Sequence, residues 1–473
     1  MQNDFTFFIY DYESFGVNPA LDRPAQFAGI RTDKDYNIIG EPIMLYCKQT
    51  NDYLPAPEAV LITGITPQEC NEKGIPEPEF AERILQEFSQ PHTCIMGFNN
   101  IRYDDEMTRY TFYRNFIDPY EYSWKNGNSR WDLLDLVRAC YALRPEGINW
   151  AYDDEGVPSF RLEKLTEANG IKHENAHDAM SDVYATIAIA KLIKEKQPKL
   201  FQYFFENRGK KEIEKLIDTA EMAPLVHVSG MLGNHRGNTT LVAPLAWHPN
   251  NQNAVIVCDL AANIEDLLCK SAVELRDNLY SKKSSLAERG LLSVPLKLIH
   301  INKCPIVAPA KTLLPENAER LGIDRVYCLE NLEKLRNSLD IREKVIEIFN
   351  EERPFKSEEN VETALYSSFF SSADKNNMSI LRTLAPEKLM DSGLMFNDKR
   401  IPELLFHYRA RHHYKTLSRA EQIKWQKYRQ RKLEQEITQF SNSLQRLGEE
   451  YMDNPQKLAL LQQVYEYSAK LLK

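Results

Sequence analysis

The feature that most narrows what this chain can fold into is the run at residues 5–11, where aromatic and β-branched side chains follow one another and then stop at acids. Such a run reads as a buried strand. Residues 26–32 and 38–48 read as two further strands, joined by the polar turn 33–37. After a loop at 54–57 the sequence ITGITPQE opens a helix: Thr66 suits the N-cap, Pro67 the first helical position and Glu69 the capping-box position. An amphipathic helix follows at 80–88, then a short apolar strand at 92–98 that ends at Asn99 and Asn100. Apolar spacing of about 3.6 residues marks helices at 103–114, 131–142, 162–169 and 179–194. Mixed strands followed by alternating elements make the first 195 or so residues an α/β domain.

The style changes after residue 198. Residues 225–259 and 294–308 hold short strand-like runs separated by Gly, Asn and Pro, the pattern of a small barrel or sandwich with helical insertions. From 353 onward the pattern is helical and heavily charged, ending in long helices near 419–447 and 455–472. At about 150 residues per domain, the 473 residues suggest three domains, at 1–197, 198–352 and 353–473. A net charge of −9 excludes a generally basic chain but leaves room for a local basic channel. No apolar run approaches the roughly 20 residues that span a bilayer, and the first residues carry acids where a signal peptide is apolar. Eight cysteines without a C-x-x-C pair argue against a structural zinc site and a disulfide framework. The expectation is a soluble, cytoplasmic protein that does not contact membrane.

Three clusters offer chemistry. Asp11 and Glu13 flank Tyr12 at the end of the first strand, and residues i and i+2 of a strand share a face. Two like charges side by side call for compensation, which hard Mg²⁺ or Mn²⁺ supplies through carboxylate oxygens; a solvated acidic strand end is the alternative. Asp104 follows the 92–98 strand in the first turn of a helix, where the helix dipole alone favours an acid. His177, Asp178 and Asp182 open the last apolar-striped helix; Asp178 can be a plain N-cap, His177 a loop residue and Asp182 part of a solvated face.

Together the clusters are more specific. Acids on the first strand, an acid after a central strand and a His-x4-Asp opening the last helix resemble the DEDD superfamily of 3′→5′ exonucleases, in its histidine subclass. The segments DYESFG, ALDRPAQFA, LITGITPQE, SRWDLLDLVRACYALRPEGINW, PSFRLEKLTEANGI and NAHDAMSDVYATIAIAKL are similar to those of the bacterial exodeoxyribonuclease I family, and HVSGM, NTTLVAPLAWHP and KLIHINKCP extend the likeness over most of the chain. The resemblance implies a ribonuclease-H-like exonuclease domain with a mixed sheet, then an SH3-like β-rich domain, then a C-terminal α-helical domain. It implies processive removal of 5′-mononucleotides from the 3′ end of single-stranded DNA, in repair and recombination. The implied roles fall on Asp11, Glu13, Asp104 and Asp182 as ligands of two Mg²⁺ ions, which Mn²⁺ can replace, and on His177 as general base; Glu13 also meets the substrate. Phosphodiester hydrolysis builds charge on phosphoryl oxygens and needs an activated water in line with the leaving oxygen, which paired cations and a neutral imidazole suit.

A single strand is held by positive side chains along its phosphates and aromatic faces for its bases. The interval 102–131 supplies both, in Arg102, Tyr103, Arg109, Tyr113, Arg114, Tyr120, Trp124, Arg130 and Trp131, while Phe112 and Phe116 share the apolar spacing of core residues. Tyr120 and Trp124, in a polar loop, are the stacking candidates. Arg109, Arg138 and Arg161 match family positions expected to contact the strand, and the last two read equally as structural ion-pair partners. Further along, Arg236 at a hairpin tip, Lys297 and Lys303 beside a strand, and the basic stretch 409–432 offer a continued groove or, for the last, a solvated helix face. The family is also linked to the acidic C-terminal tail of the single-stranded-DNA-binding protein, and the chain itself is expected to be a monomer. RNA trimming and proofreading would use the same acids and histidine; a non-catalytic DNA-binding scaffold would require a lost ligand, and none is missing.

Overall fold

The computed structural model describes residues 5–173, 177–281, 286, 293–350 and 360–472. The chain divides into two compact units that interleave along the sequence, one drawn from residues 1–130, 173–187 and 356–473, the other from 131–172 and 188–355. Positions 174–176, expected to be the loop before His177, and position 353, where the helical tail is expected to begin, lie outside the described residues.

The first elements are β1 (Thr6–Ser14), β2 (Pro24–Thr32), β3 (Ile43–Tyr46), α1 (Pro57–Thr63), α2 (Pro67–Lys73), α3 (Glu77–Phe88), β4 (Thr93–Gly97), α4 (Asp104–Arg114), β5 (Ser129–Asp132), α5 (Leu133–Leu143), β6 (Ala151–Tyr152), β7 (Pro158–Ser159), α6 (Leu162–Ala168) and α7 (Ala179–Lys196). The first sheet runs in the order β3-β2-β1-β4-β5. Its central strand pairs antiparallel with β2 and parallel with β4, so the sheet is mixed. β1 is longer than its apolar run, because Asp11, Tyr12 and Glu13 continue the ladder opposite Ala28, Phe27 and Gln26. The strand expected at 38–48 shrinks to β3: Gly40, at φ 79°, and Pro42 interrupt it, and Ile38 keeps only an isolated bridge to Thr32. α1 begins where a loop was expected, with Pro57 in its first turn and no side-chain cap to announce it. α2 starts as its sequence predicts: the Thr66 hydroxyl accepts from the Glu69 N–H at 3.2 Å, while the Glu69 carboxylate turns to Lys73 at 2.7 Å instead of closing a capping box.

Alternation along β1 sends Phe8, Tyr10 and Tyr12 into a core with Phe27, Phe80, Phe88, Met107 and Phe112, contributed by β2, α3 and α4. The opposite alternation therefore gives Asp11 and Glu13 a common side. In the same unit the C-terminal helices Arg419–Glu450 and Pro455–Leu471 set Leu433, Phe440 and Val464 against Phe15, Val60 and Cys70. Buried ion pairs accompany this packing: Arg23 with Glu362 at 2.7 Å, Arg411 with both Glu362 and Asp52, and Lys432 with Asp52 at 3.4 Å. Arg409 is likewise buried, 2.6 Å from Glu421. Neither a solvated face nor a groove describes Arg409 and Arg411 within the basic stretch 409–432: Arg411 is committed to the buried Asp52 and Glu362, and Arg409 to the half-buried Glu421.

In the second unit, α5 is capped by the Asp132 carboxylate, and Trp131 is buried against Phe201 and Phe205. The second sheet comprises β8 (Leu225–Val228), β9 (Thr239–Trp247), β10 (Ala254–Asp259), β11 (Leu296–His300) and β12 (Ile306–Pro309), ordered β11-β10-β9-β8-β12 with every neighbour antiparallel. Helices intervene between β10 and β11 and follow β12, including Arg325–Asn337 and Ile341–Asn350. This is the small β-rich domain with helical insertions that the Gly, Asn and Pro spacing predicts.

Candidate active site

Every acid of the proposed set belongs to the first unit. β1 delivers Asp11 and Glu13 from its C-terminal half. β4 ends at Gly97, which leaves no room for a side chain: a Cβ there would meet the Tyr10 carbonyl oxygen of β1 and the Asn100 side chain, both at 2.8 Å. Asn99 then turns the chain at φ 67°, a left-handed conformation that asparagine tolerates. The turn sets Asp104 at the first residue of α4, where its Oδ1 accepts the Tyr12 N–H of β1 at 3.3 Å. Adjacent Asp105 faces the other way, accepting from the Tyr10 hydroxyl at 2.7 Å and pairing with Arg130. Of two neighbouring acids, one is thus absorbed by the fold and one is left at the end of β1.

α7 arrives beside the same strand. The Ala179 N–H donates to Gln26 Oε1 at 3.1 Å, and Gln26 is the residue paired with Glu13. Asp178 caps α7 by accepting the Ser181 N–H at 3.0 Å, as its position suggested. One turn in, Asp182 reaches Glu13 and His177: donor atoms of these three lie within 4.8 Å of one another. The His173 Nε2 lies 2.6 Å from Asp182 Oδ1. His177 is exposed at φ 67°, and its backbone hydrogen-bonds the Asp182 carboxylate.

The electrostatics follow from this crowding. Glu13 is 8% and Asp104 5% exposed. Burial first, then Asp182, Asp104 and Asp178, push the Glu13 carboxyl up to about 9. Burial, followed by Asp104, Glu13, Asp182 and Asp178, holds Asp11 well above the carboxylate range. Asp182 is raised by burial and partly relieved by His173 and His177. Converging carboxylates that are costly to ionise together, with an imidazole among them, form the hard oxygen-and-nitrogen donor set that a divalent cation satisfies. The residues fit such an ion.

The other predicted contacts divide between the units. In the first, Arg109 is buried in α4, 2.8 Å from Glu106 and 3.2 Å from the Tyr366 hydroxyl, with its guanidinium 5.5 Å from the centre of the Tyr120 ring. Tyr120 also packs edge-on against Phe369, and Trp124 is 60% exposed. Tyr113 and Arg114 are buried, the former donating to the Val361 carbonyl and the latter paired with Glu77. In the second unit Arg138 pairs with Asp135 at 2.8 Å, Arg161 is exposed at the start of α6, and Arg236 pairs with Asp259 at 3.0 Å. The aromatic and basic interval 102–131 is therefore largely inward-facing; Arg130 and Trp131 serve the interior. Sequence reasoning passed over His173 and Gln26, and it grouped Tyr103, whose hydroxyl donates to the Gly16 carbonyl at 2.6 Å beside β1, with the strand-holding side chains. For His173 a signal was present, a second histidine four residues before His177.

Residues 8–190 match an exonuclease family, 208–351 the exonuclease I SH3-like domain and 359–471 the exonuclease I C-terminal domain. Exodeoxyribonuclease I of Haemophilus influenzae is 79% identical over 472 residues, covering both chains in full, and that of Escherichia coli is 56% identical over 99% of this chain and 98% of its own. The crystal structure of E. coli exonuclease I with a dA16 oligonucleotide superposes with a TM-score of 0.97 at 55% identity, covering 99% of this chain and 100% of that one. A zinc-bound E. coli complex with single-stranded DNA gives 0.96 at 54% identity, covering 99% and 100%. A structure of SSB/exonuclease I with an inhibitor gives 0.92 at 53%, covering 99% of each chain. An exonuclease domain followed by an SH3-like and a C-terminal domain, over the full length and at this identity, makes the chain a member of the exodeoxyribonuclease I family.

Proposed function

We propose that this protein hydrolyses single-stranded DNA processively from the 3′ end, releasing 5′-mononucleotides, in a reaction that depends on Mg²⁺, with Mn²⁺ as a substitute. The observation that carries the reading is the meeting of Glu13, Asp182 and His177 donor atoms within 4.8 Å, beside Asp11 and Asp104, from segments far apart in sequence. Membership of the family and the oligonucleotide complex of the E. coli relative support the substrate class.

In this reading Asp11, Glu13, Asp104 and Asp182 hold two cations. Bound there, such ions would supply positive charge against that which builds on the phosphoryl oxygens. The rest falls to the chain. A ring nitrogen of His177 accepts the proton of the attacking water as its oxygen bonds to phosphorus and the bond to the 3′ oxygen breaks. Exposure of His177 lets it reach solvent water, and its backbone bond to Asp182 keeps the ring beside the acids. Trp124 and Tyr120 offer faces for bases, and Arg109, Arg138 and Arg161 contact the strand or its terminus. The acidic tail of the single-stranded-DNA-binding protein is the proposed protein partner, consistent with the SSB/exonuclease I structure. We assign residues 1–197, 198–352 and 353–473 to the three domains, in a monomer that acts in the cytoplasm in DNA repair and recombination.

A time course on a 5′-labelled single-stranded oligomer, with Mg²⁺ and with EDTA, beside a matched blunt duplex and an RNA, tests the reading. Shortening of the DNA from its 3′ end, only with Mg²⁺ and sparing the duplex, is expected. Preferential shortening of RNA would move the function to trimming, and tight DNA binding without any cleavage would leave a scaffold.

A further inference from the structure

We infer that His173 is a positioning residue of the cation site: its ring fixes the Asp182 carboxylate in the orientation that faces Glu13 and His177. The inference rests on the reading of these acids as a cation site and adds to it a residue outside the ligand set.

The argument is geometric. Asp182 stands in the first turn of α7, where a short side chain left alone samples several rotamers. A ligand must be held within about 0.5 Å of its working position for a site to be preorganised. The other acids have their own restraints: Asp104 accepts the Tyr12 N–H, and Asp11 and Glu13 sit in the β1–β2 ladder opposite Ala28 and Gln26. For Asp182 the restraint is His173, whose Nε2 lies 2.6 Å from Oδ1 and whose side chain is only 4% exposed, so water competes poorly for the contact. The backbone of His177 grips the same carboxylate. His173 and the His177 backbone thus both hold a single acid.

A direct ligand role for His173 fits less well. In the metal-ligating state Asp182 is ionised and only accepts, so Nε2 carries the proton in that contact and has no lone pair for a metal. The close donor set is accordingly Glu13, His177 and Asp182. Ligating carboxylates are typically hydrogen-bonded from outside, and loss of such a partner costs about 10–100-fold in metal affinity or activity.

The test measures Mn²⁺ binding to the full chain without DNA, by the loss of the free-ion electron paramagnetic resonance signal. Wild type is compared with His173→Ala, His173→Gln and Asp182→Ala, and each variant is checked by thermal melting and by single-stranded DNA binding in EDTA. The glutamine amide places an N–H close to where Nε2 stood. His173→Ala should weaken Mn²⁺ binding about 10–100-fold, His173→Gln should restore most of it, and DNA binding in EDTA should not move. Wild-type Mn²⁺ affinity in His173→Ala would overturn the inference while leaving the cation site intact. Equal loss in the alanine and glutamine variants would also overturn it, since the ring would then be shaping the segment and not donating to Asp182. If Asp182→Ala binds Mn²⁺ as wild type does, the cation-site reading itself fails and the inference falls with it.

Discussion

The first unit contains two groups of buried carboxylates that differ in one respect. At the end of β1, Asp11, Glu13, Asp104 and Asp182 have mainly each other as charged neighbours, and burial with mutual repulsion raises Asp11, Glu13 and Asp182. Beneath the C-terminal helices, Asp52 and Glu362 are as deeply buried but face Arg411, Arg23 and Lys432, and both are held well below the carboxylate range. Glu77, against Arg114, is lowered to about 2. Burial opposes ionisation in both groups, so the sign of the neighbours decides the outcome. One group is neutralised from within the chain and serves as structure. The other has mainly its own acids for charged neighbours, and in the proposed reading a bound cation supplies the missing positive charge.

The contrast can be broken from either side. The largest effect should come from Asp182→Ala, which removes hydrolysis while leaving binding of single-stranded DNA in EDTA near wild type; turnover at the wild-type rate would remove this acid from the site. On the structural side, Glu362→Ala leaves Arg23 and Arg411 buried without their shared partner, and should cost about 3–5 kcal/mol in denaturant unfolding. Glu13→Gln, by comparison, relieves repulsion and should melt no lower than wild type in EDTA. A loss there as large as that of Glu362→Ala would erase the distinction between the groups. Trp124→Ala should weaken DNA binding by about 1–3 kcal/mol if the exposed ring stacks on a base, read by fluorescence titration in EDTA.

The smallest effect is a difference in pH dependence. Glu13 has a folded value of about 9 against an ordinary 4.5, so its contribution to stability is full below 4.5 and is lost as pH rises toward 9. Glu77, facing Arg114, Arg23 and His412, has a folded value of about 2, so its contribution is present above 4.5 and is lost as pH falls toward 2. Melting curves in EDTA should therefore slope down on both flanks. Saturating Mg²⁺ should flatten the alkaline flank through Glu13 and its neighbours Asp182, Asp104 and Asp178, and leave the acid flank unchanged.

How much of this was legible beforehand follows the range of the interactions. Local rules carried well: the two-residue period of β1 put Asp11 and Glu13 on one face with Tyr12 opposite, Thr66-Pro67 opened α2, and Asp178 capped α7. The resemblance then gathered acids that no local rule connects. What failed was any judgement of which charged residues face inward. Asp104 and Asp105 are neighbours of the same type, yet only the depth of Tyr10 and Arg130 shows that Asp105 is structural. Arg411 and Asp52 are separated by most of the chain, and nothing near either one signals the partner. Trp131 stands in the same aromatic and basic interval as the stacking candidates Tyr120 and Trp124, yet it is buried against Phe201 and Phe205. A partner hundreds of residues away leaves no local trace, so inward arginines and solvated ones look alike in sequence.

The central claim, that the acids at the end of β1 bind a cation that the buried pairs do not need, is tested most directly by titrating Mg²⁺ into wild type and Asp11→Asn and following the melting temperature. Wild type should rise steadily with free Mg²⁺, as binding to the native state requires, while Asp11→Asn should start higher in EDTA and rise much less. Parallel rises in both proteins, or no rise in either, would contradict the account.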